Sequence, residues 1–216
     1  MKNIKYIFII FTSLLTNFYS QTKSSELVPI KDLIPNIIIE LKYATTDNFF
    51  EQKLYASNEC YVLKELADKL IFIQDSLNKL KFFNGKSFPK GIGLKIWDGY
   101  RPRSVQYTMF EIFPDPTFVA DPKSGSTHNR GGAVDLTLVD LNNGEEFNMP
   151  TGFDDFSDAA AHDYPSDLLT YEQFQNREFI KKIMTEVGGL DLYSAEWWHY
   201  QLKNNKDFPL LDFQVK

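Results

Sequence analysis

Three histidines occur in the chain of 216 residues, and two of them sit in short segments dense with glycine and polar side chains. The first segment runs Ser126-Thr127-His128-Asn129-Arg130-Gly131-Gly132-Ala133-Val134-Asp135, the second Glu196-Trp197-Trp198-His199-Tyr200. A hydrolytic zinc needs three protein ligands of nitrogen or oxygen type and a fourth position open to water. His128, Asp135 and His199 supply such a set, and with Cys60 as the single cysteine any zinc site must use histidine and carboxylate. Ordinary alternatives stand beside this reading. A lone histidine or aspartate is more often a satisfied polar residue, and a carboxylate buried in a strand can be neutralised by an arginine as well as by a metal. Glu196 lies three residues before His199. In an extended segment that spacing points the two to opposite faces, so a turn near Ala195-Glu196 must bring the carboxylate round. If it does, Glu196 can act as general base and then general acid; otherwise it is a surface glutamate beside two tryptophans. His162, the remaining histidine, belongs to no motif and reads as a loop residue outside the ligand set.

The elements that must position these residues are legible from periodicity. Leu63, Leu66, Leu70, Ile73, Leu77 and Leu80 recur at helical steps, with Lys64, Asp68, Lys69 and Asp75 on the other faces, which predicts an amphipathic helix closed by Asn84-Gly85. This stripe is core packing and carries no chemistry. Residues 36–43 contain a β-branched run and predict a strand. Ile92, Leu94 and Ile96 alternate with Gly93, Lys95 and Trp97 in a second strand, which runs into Asp98-Gly99-Tyr100-Arg101-Pro102. Pro102 suits the first turn of a helix reaching about Ile112, so Arg101 stands at a strand–helix junction. Alternation over residues 132–138 places Ala133, Asp135 and Thr137 on one face and Val134, Leu136 and Leu138 on the other. Residues 140–167 are loop-rich. A second helix, capped near Asn176, is expected to bury Phe179, Ile180, Ile183, Met184 and Val187 before Gly188-Gly189 stops it, and residues 197–202 form a last strand. Helices and strands mix without a βαβ rhythm, so the class is α+β: a single domain whose central antiparallel or mixed sheet carries the zinc site between flanking helices.

A hydrophobic share of 43% supports a real core, and the formal charge of −6 offers no footprint for nucleic acid. Lys2 and Lys5 precede a short apolar run ending at Ser20-Gln21, the pattern of a secretory signal peptide. The run is too short and too interrupted for a spanning helix. The expected organisation is therefore a signal peptide at 1–20, a lead-in segment at 21–35 and one domain at 36–216, in a protein that is secreted or periplasmic. No stable membrane insertion is expected once the signal is removed. Cys60 reads as a small buried hydrophobe.

The pattern Ser126-x-His128-x-x-Gly131-x-Ala133-x-Asp135, followed by Glu196-x-Trp198-His199, resembles the zinc D-Ala-D-Ala peptidases. Within them the segments at 41–49, 98–102 and 151–154 are similar to the D-alanyl-D-alanine dipeptidases. The resemblance implies one zinc per chain, held by His128, Asp135 and His199. It implies Glu196 as catalytic acid/base and Arg101 as the residue that stabilises the oxyanion, a role suited to a fixed guanidinium. Ser126 matches a residue that holds the substrate carboxylate, and Asp154 one that binds the free amino group. The implied partner is a small-molecule dipeptide; the oligomeric state is not implied. A carboxypeptidase or endopeptidase trimming peptidoglycan stem peptides uses the same chemistry. A non-catalytic zinc-stabilised binding module is the reading from another class, and Glu196 argues against it, since a structural site has no use for a base.

Overall fold

A computed structural model describes residues 25–116 and 118–215. The expected signal peptide lies outside the described residues. The elements in chain order are β1 (Leu27–Pro29), α1 (Ile30–Leu33), β2 (Ile38–Ile39), β3 (Tyr61–Leu63), α2 (Lys64–Lys79), β4 (Phe82–Phe83), β5 (Lys86–Ser87), β6 (Ile92–Asp98), α3 (Arg103–Ile112), β7 (Ala133–Asp140), α4 (Tyr171–Lys182), β8 (Asp191–Tyr193) and β9 (Glu196–Gln201). Five strands form one mixed sheet in the order β2-β6-β7-β9-β8. Only the β2–β6 pair is parallel.

The alternation in β6 and β7 sets up two different faces. Leu94 lies opposite Leu138 and Ile96 opposite Leu136, and all four are fully buried. The α2 stripe supplies Leu66, Leu70, Ile73 and Leu77 to the same core. A fully buried leucine or isoleucine is worth about 1.5–3 kcal/mol relative to exposure, so this side of the sheet anchors the fold. Where the short β2 leaves β6 unpaired, Gln74 of α2 replaces the missing strand: its Oε1 accepts from the Leu94 N–H at 2.9 Å and its Nε2 donates to the Ile92 carbonyl at 3.3 Å. The other face of β7 carries Asp135, and it holds the chemistry.

Several local expectations are corrected. The strand expected over residues 36–43 pairs only at Ile38–Ile39, and Lys42–Ala44 closes into a 3-10 turn. Asn84-Gly85 does not end the long helix, which stops at Lys79; with φ of 46° and 77° it forms the tight turn of the β4–β5 hairpin instead. The second helix begins earlier than Asn176. Its cap is Thr170, whose hydroxyl accepts from the Gln173 N–H while Gln173 reaches back to the Thr170 N–H. Its last turn, Ile183–Val187, widens to a π turn before Gly188. Strands β1 and β3 pair with each other, and Ile30 is fully buried, so part of the stretch expected as a lead-in packs into the fold. Among the described residues no helix is long and apolar enough to cross a membrane.

Candidate active site

The register of the sheet brings three charged positions into one row. Asp98 on β6 faces Asp135 on β7, which faces His199 on β9. Simple alternation would leave Asp98 on the core face with Leu94 and Ile96. A bulge at Trp97 removes that constraint, because two steps on β6 oppose one on β7 between Ile96 and Asp98. A second irregularity serves Glu196. Tyr193 pairs with Glu196, yet its neighbour Leu192 pairs with Tyr200, so Trp197, Trp198 and His199 have no counterparts on β8. The slack turns Glu196 toward His199, with Oε2 4.0 Å from Nδ1. This is the turn that the i, i+3 spacing requires. His128 arrives from the 3-10 turn His128–Arg130, stopped by Gly131 at φ 71°.

His128, Asp135 and His199 are all buried, and each offers one ligand atom within 4.8 Å of the others. His199 Nδ1 lies 2.9 Å from Asp135 Oδ1, and His128 Nε2 lies 3.3 Å from Asp135 Oδ2. The two ring nitrogens are 3.2 Å apart. Their tautomers follow from what lies behind each ring. His128 Nδ1 is 2.7 Å from the Gly99 carbonyl, which can only accept, so Nδ1 carries the hydrogen. His199 Nε2 lies 3.3 Å from Gln201 Oε1 and 3.4 Å from Thr127 Oγ1, so its hydrogen points outward as well. Two lone pairs and a carboxylate then converge on one point, an arrangement that demands a cation or an added proton. Burial lowers the His128 pKa, but Asp135 and Asp98 more than reverse it and the net shift is upward. Burial likewise raises Asp135, and its two histidine partners outweigh that and hold it well below the usual carboxylate range.

Asp135 could have been neutralised by arginine; it is not. Arg101 is committed to Asp98, with Nε and Nη2 donating to Oδ2 at 3.1 and 2.6 Å, and Nη1 donating to Gln106 Oε1 at 2.9 Å. Asp98 is fully buried and also accepts from the Tyr55 hydroxyl at 2.6 Å and the Gly99 N–H at 2.9 Å. These bonds use three of the five guanidinium donors, and Arg101 lines the cavity in front of this row. Gly99 must be small here. A Cβ would stand 2.6 Å from Cys60 Sγ and 3.0 Å from the Tyr61 carbonyl oxygen. Cys60 is buried, and burial pushes its thiol far up, consistent with an inert packing residue.

The cavity in front of this row measures about 350 Å³ and is lined by all seven residues singled out in the sequence: Arg101, Ser126, His128, Asp135, Asp154, Glu196 and His199. Burial raises Glu196 to about 7, in the range of a group that can take and return a proton near neutral pH. Asp154 is raised to about 7 by burial and the nearby Asp135 charge, although Tyr43 donates to both its oxygens at 3.2 and 3.0 Å. Asp154 also sits at φ 56°, a conformation in which strain is commonly stored at functional sites. Ser126 Oγ accepts from the His128 N–H at 3.2 Å, so it shapes the ligand turn as well as lining the cavity.

Asp98, Tyr43, Gln106 and Gln201 were not identified from residue types. The Asp98–Arg101 spacing was visible, but a carboxylate three residues before an arginine is common, and Tyr43 gains its role only from the approach of distant loops. Its ring lies 5.1 Å from the Arg101 guanidinium while its hydroxyl holds Asp154. His162 is buried and stands edge-on to Tyr200 at 5.9 Å, apart from the converging donors. Burial and the nearby Lys181 and Arg177 push its pKa down to about 4.

Three converging metal-ligand atoms, a protonatable carboxylate and a fixed guanidinium in one cavity are the parts of a metal-dependent hydrolase. A family model described as D-ala-D-ala dipeptidase matches residues 23–216, and the chain belongs to that family, Peptidase M15. Relatives are concordant. The chain is 35% identical to the D-alanyl-D-alanine dipeptidase of Escherichia coli (strain K12), over 87% of this chain and 90% of that protein. It is 30% identical to the D-alanyl-D-alanine dipeptidase of Enterococcus faecium, over 87% of this chain and 96% of that one. A solved vancomycin-resistance D,D-pentapeptidase in complex with Zn(II) is 18% identical, with 70% of this chain and 78% of that chain covered and a TM-score of 0.34. The protein is an enzyme, a metallopeptidase.

Proposed function

We propose that the enzyme hydrolyses D-alanyl-D-alanine, or a closely similar dipeptide, to free amino acids with one zinc per chain. The observation that carries this reading is the convergence of two imidazole lone pairs and the Asp135 carboxylate beside Glu196 and Arg101. His128 through Nε2, His199 through Nδ1 and Asp135 would hold the zinc, a donor set of the catalytic kind. When bound, zinc polarises the scissile carbonyl and eases deprotonation of water.

The remaining chemistry belongs to the side chains. Glu196 takes a proton from the attacking water as the new carbon–oxygen bond forms, then delivers it to the amide nitrogen as the carbon–nitrogen bond breaks. Arg101, held by Asp98 and Gln106, turns its two free N–H groups toward the developing oxyanion. Because its partners are already in place, the guanidinium needs no reorganisation as charge builds. Asp154 receives the free ammonium of the substrate and Ser126 its carboxylate. Export by the leader at 1–20 completes the reading.

Metal analysis and activity assays test it together. The purified protein should contain about one zinc per chain and cleave D-Ala-D-Ala, and H199A should lose both. Full zinc occupancy in H199A overturns the ligand set. Equal cleavage of free and N-acetylated dipeptide moves the assignment to a carboxypeptidase acting on stem peptides.

A further inference from the structure

One side chain joins the turn that carries His128 to the segment that carries Arg101. Asn129 is fully buried and does not line the cavity. Its Oδ1 accepts from the Ser126 N–H at 2.8 Å, and its Nδ2 donates to the Arg101 carbonyl at 2.9 Å. The first partner can only donate and the second only accept, so the orientation of the carboxamide is fixed. Its backbone is engaged as well: the N–H donates to the Ser126 carbonyl at 3.1 Å, and the carbonyl accepts from the Leu211 N–H at 2.8 Å. Next to it, the His128 carbonyl accepts from the Arg101 N–H at 3.1 Å. Both backbone polar groups of Arg101 are therefore bound by the His128 turn.

Arg101 lies between β6, which ends at Asp98, and α3, which begins at Arg103, so neither strand nor helix contains its backbone. Asp98 and Gln106 grip the guanidinium at its tip. A side chain gripped at the tip and loose at the root can still swing, whereas a grip at both ends leaves one position. The root is what Asn129 and His128 hold. The task at residue 129 needs one planar group that accepts on one side and donates on the other, which a carboxamide supplies and an aliphatic side chain does not. We propose that Asn129 is a positioning residue for the reaction: its carboxamide holds Arg101 and Ser126 in register with His128, so that the guanidinium meets the oxyanion in one fixed place. The proposal rests on the reading of Arg101 as the oxyanion donor. A misplacement of about 1 Å costs on the order of a hundredfold in rate.

A double-mutant cycle on the zinc-loaded enzyme tests it. N129A should lower kcat for D-Ala-D-Ala by about tenfold or more. Zinc content should stay unchanged, because His128 keeps its bonds to the Gly99 carbonyl and to Ser126 Oγ. In the R101A background the same change should cost less than about threefold, since residues that act through one another are not additive. The Kd of a phosphinate mimic of the dipeptide, whose tetrahedral anion stands in for the oxyanion, should follow the same pattern without turnover. N129S keeps a polar group too short to span both partners, and it replaces N129A in the cycle if the alanine variant does not fold. An equal loss in both backgrounds, or a folded variant within about threefold of the wild type, overturns the positioning role alone. An undiminished kcat in R101A overturns the oxyanion reading, and the route through Arg101 with it.

Discussion

At the proposed metal end of the cavity Asp98, Asp135 and His199 stand on three adjacent hydrogen-bonded strands, whereas at the proposed amino end Asp154, Phe118 and Phe156 come from loops. The strand-borne groups and His128 are almost fully enclosed, and three of the four have a bonded partner outside the ligand set: Gly99 for His128, Gln201 for His199, Tyr55 for Asp98. Of the loop-borne groups, Asp154 is held by the Tyr43 hydroxyl, and Phe118 and Phe156 meet ring to ring. The chemical step needs atoms fixed to within a fraction of an ångström, and sites built on regular elements meet that need. Selection of the substrate tolerates adjustment, and loops can vary without disturbing the sheet.

If the two ends divide the labour in this way, variants should separate by what they change. The largest effect is expected from Glu196. E196Q keeps the shape and the metal set but cannot accept a proton, so kcat should fall by about a hundred- to ten-thousand-fold with zinc content unchanged. A variant within threefold of the wild type would show that another group carries the proton.

Arg101 comes next and tests whether the metal end acts on the transition state. R101A should lower kcat by about a hundred- to a thousand-fold while KM moves much less, as loss of an oxyanion donor does. R101K should recover little, because an ammonium cannot keep both the Asp98 and the Gln106 contacts and still face the substrate. A change confined to KM would place Arg101 on the ground state and blur the division.

The smallest effect belongs to the amino end. D154A should slow the free dipeptide by about tenfold or more, since breaking a buried charge pair costs roughly 2–5 kcal/mol. N-acetylated substrate should be nearly indifferent to the same change. Steady-state kinetics on the two peptides decides it, and equal losses on both would mean that Asp154 supports the site without reading the ammonium.

Much of this molecule was visible along the chain. The α2 stripe, the alternation of β6 and β7 and the stop at Gly188 are local patterns, because a helix or strand repeats its own geometry every few residues. Seven of the residues that line the cavity could be singled out by type and by motif. What periodicity could not supply was the partner of each group. Asp135 had two ways to be satisfied, and only the capture of Arg101 by Asp98 left it to the histidines. The Asn84-Gly85 pair could end a helix or turn a hairpin, and pairing of Phe82–Phe83 with Lys86–Ser87 selected the hairpin.

The sequence by itself determined which side chains could bind a metal, move a proton and stabilise an anion, since those capacities belong to the residue types. It also determined the helices and strands that carry them, through the spacing of apolar positions. The tertiary structure decided the rest: the bulge at Trp97 that brings Asp98 beside Asp135, the slack in β9 that swings Glu196 toward His199, and the meeting of Tyr43 with Asp154 across 111 positions. Strand register and loop approach are set by contacts between residues far apart in the chain, and no local repeat encodes them.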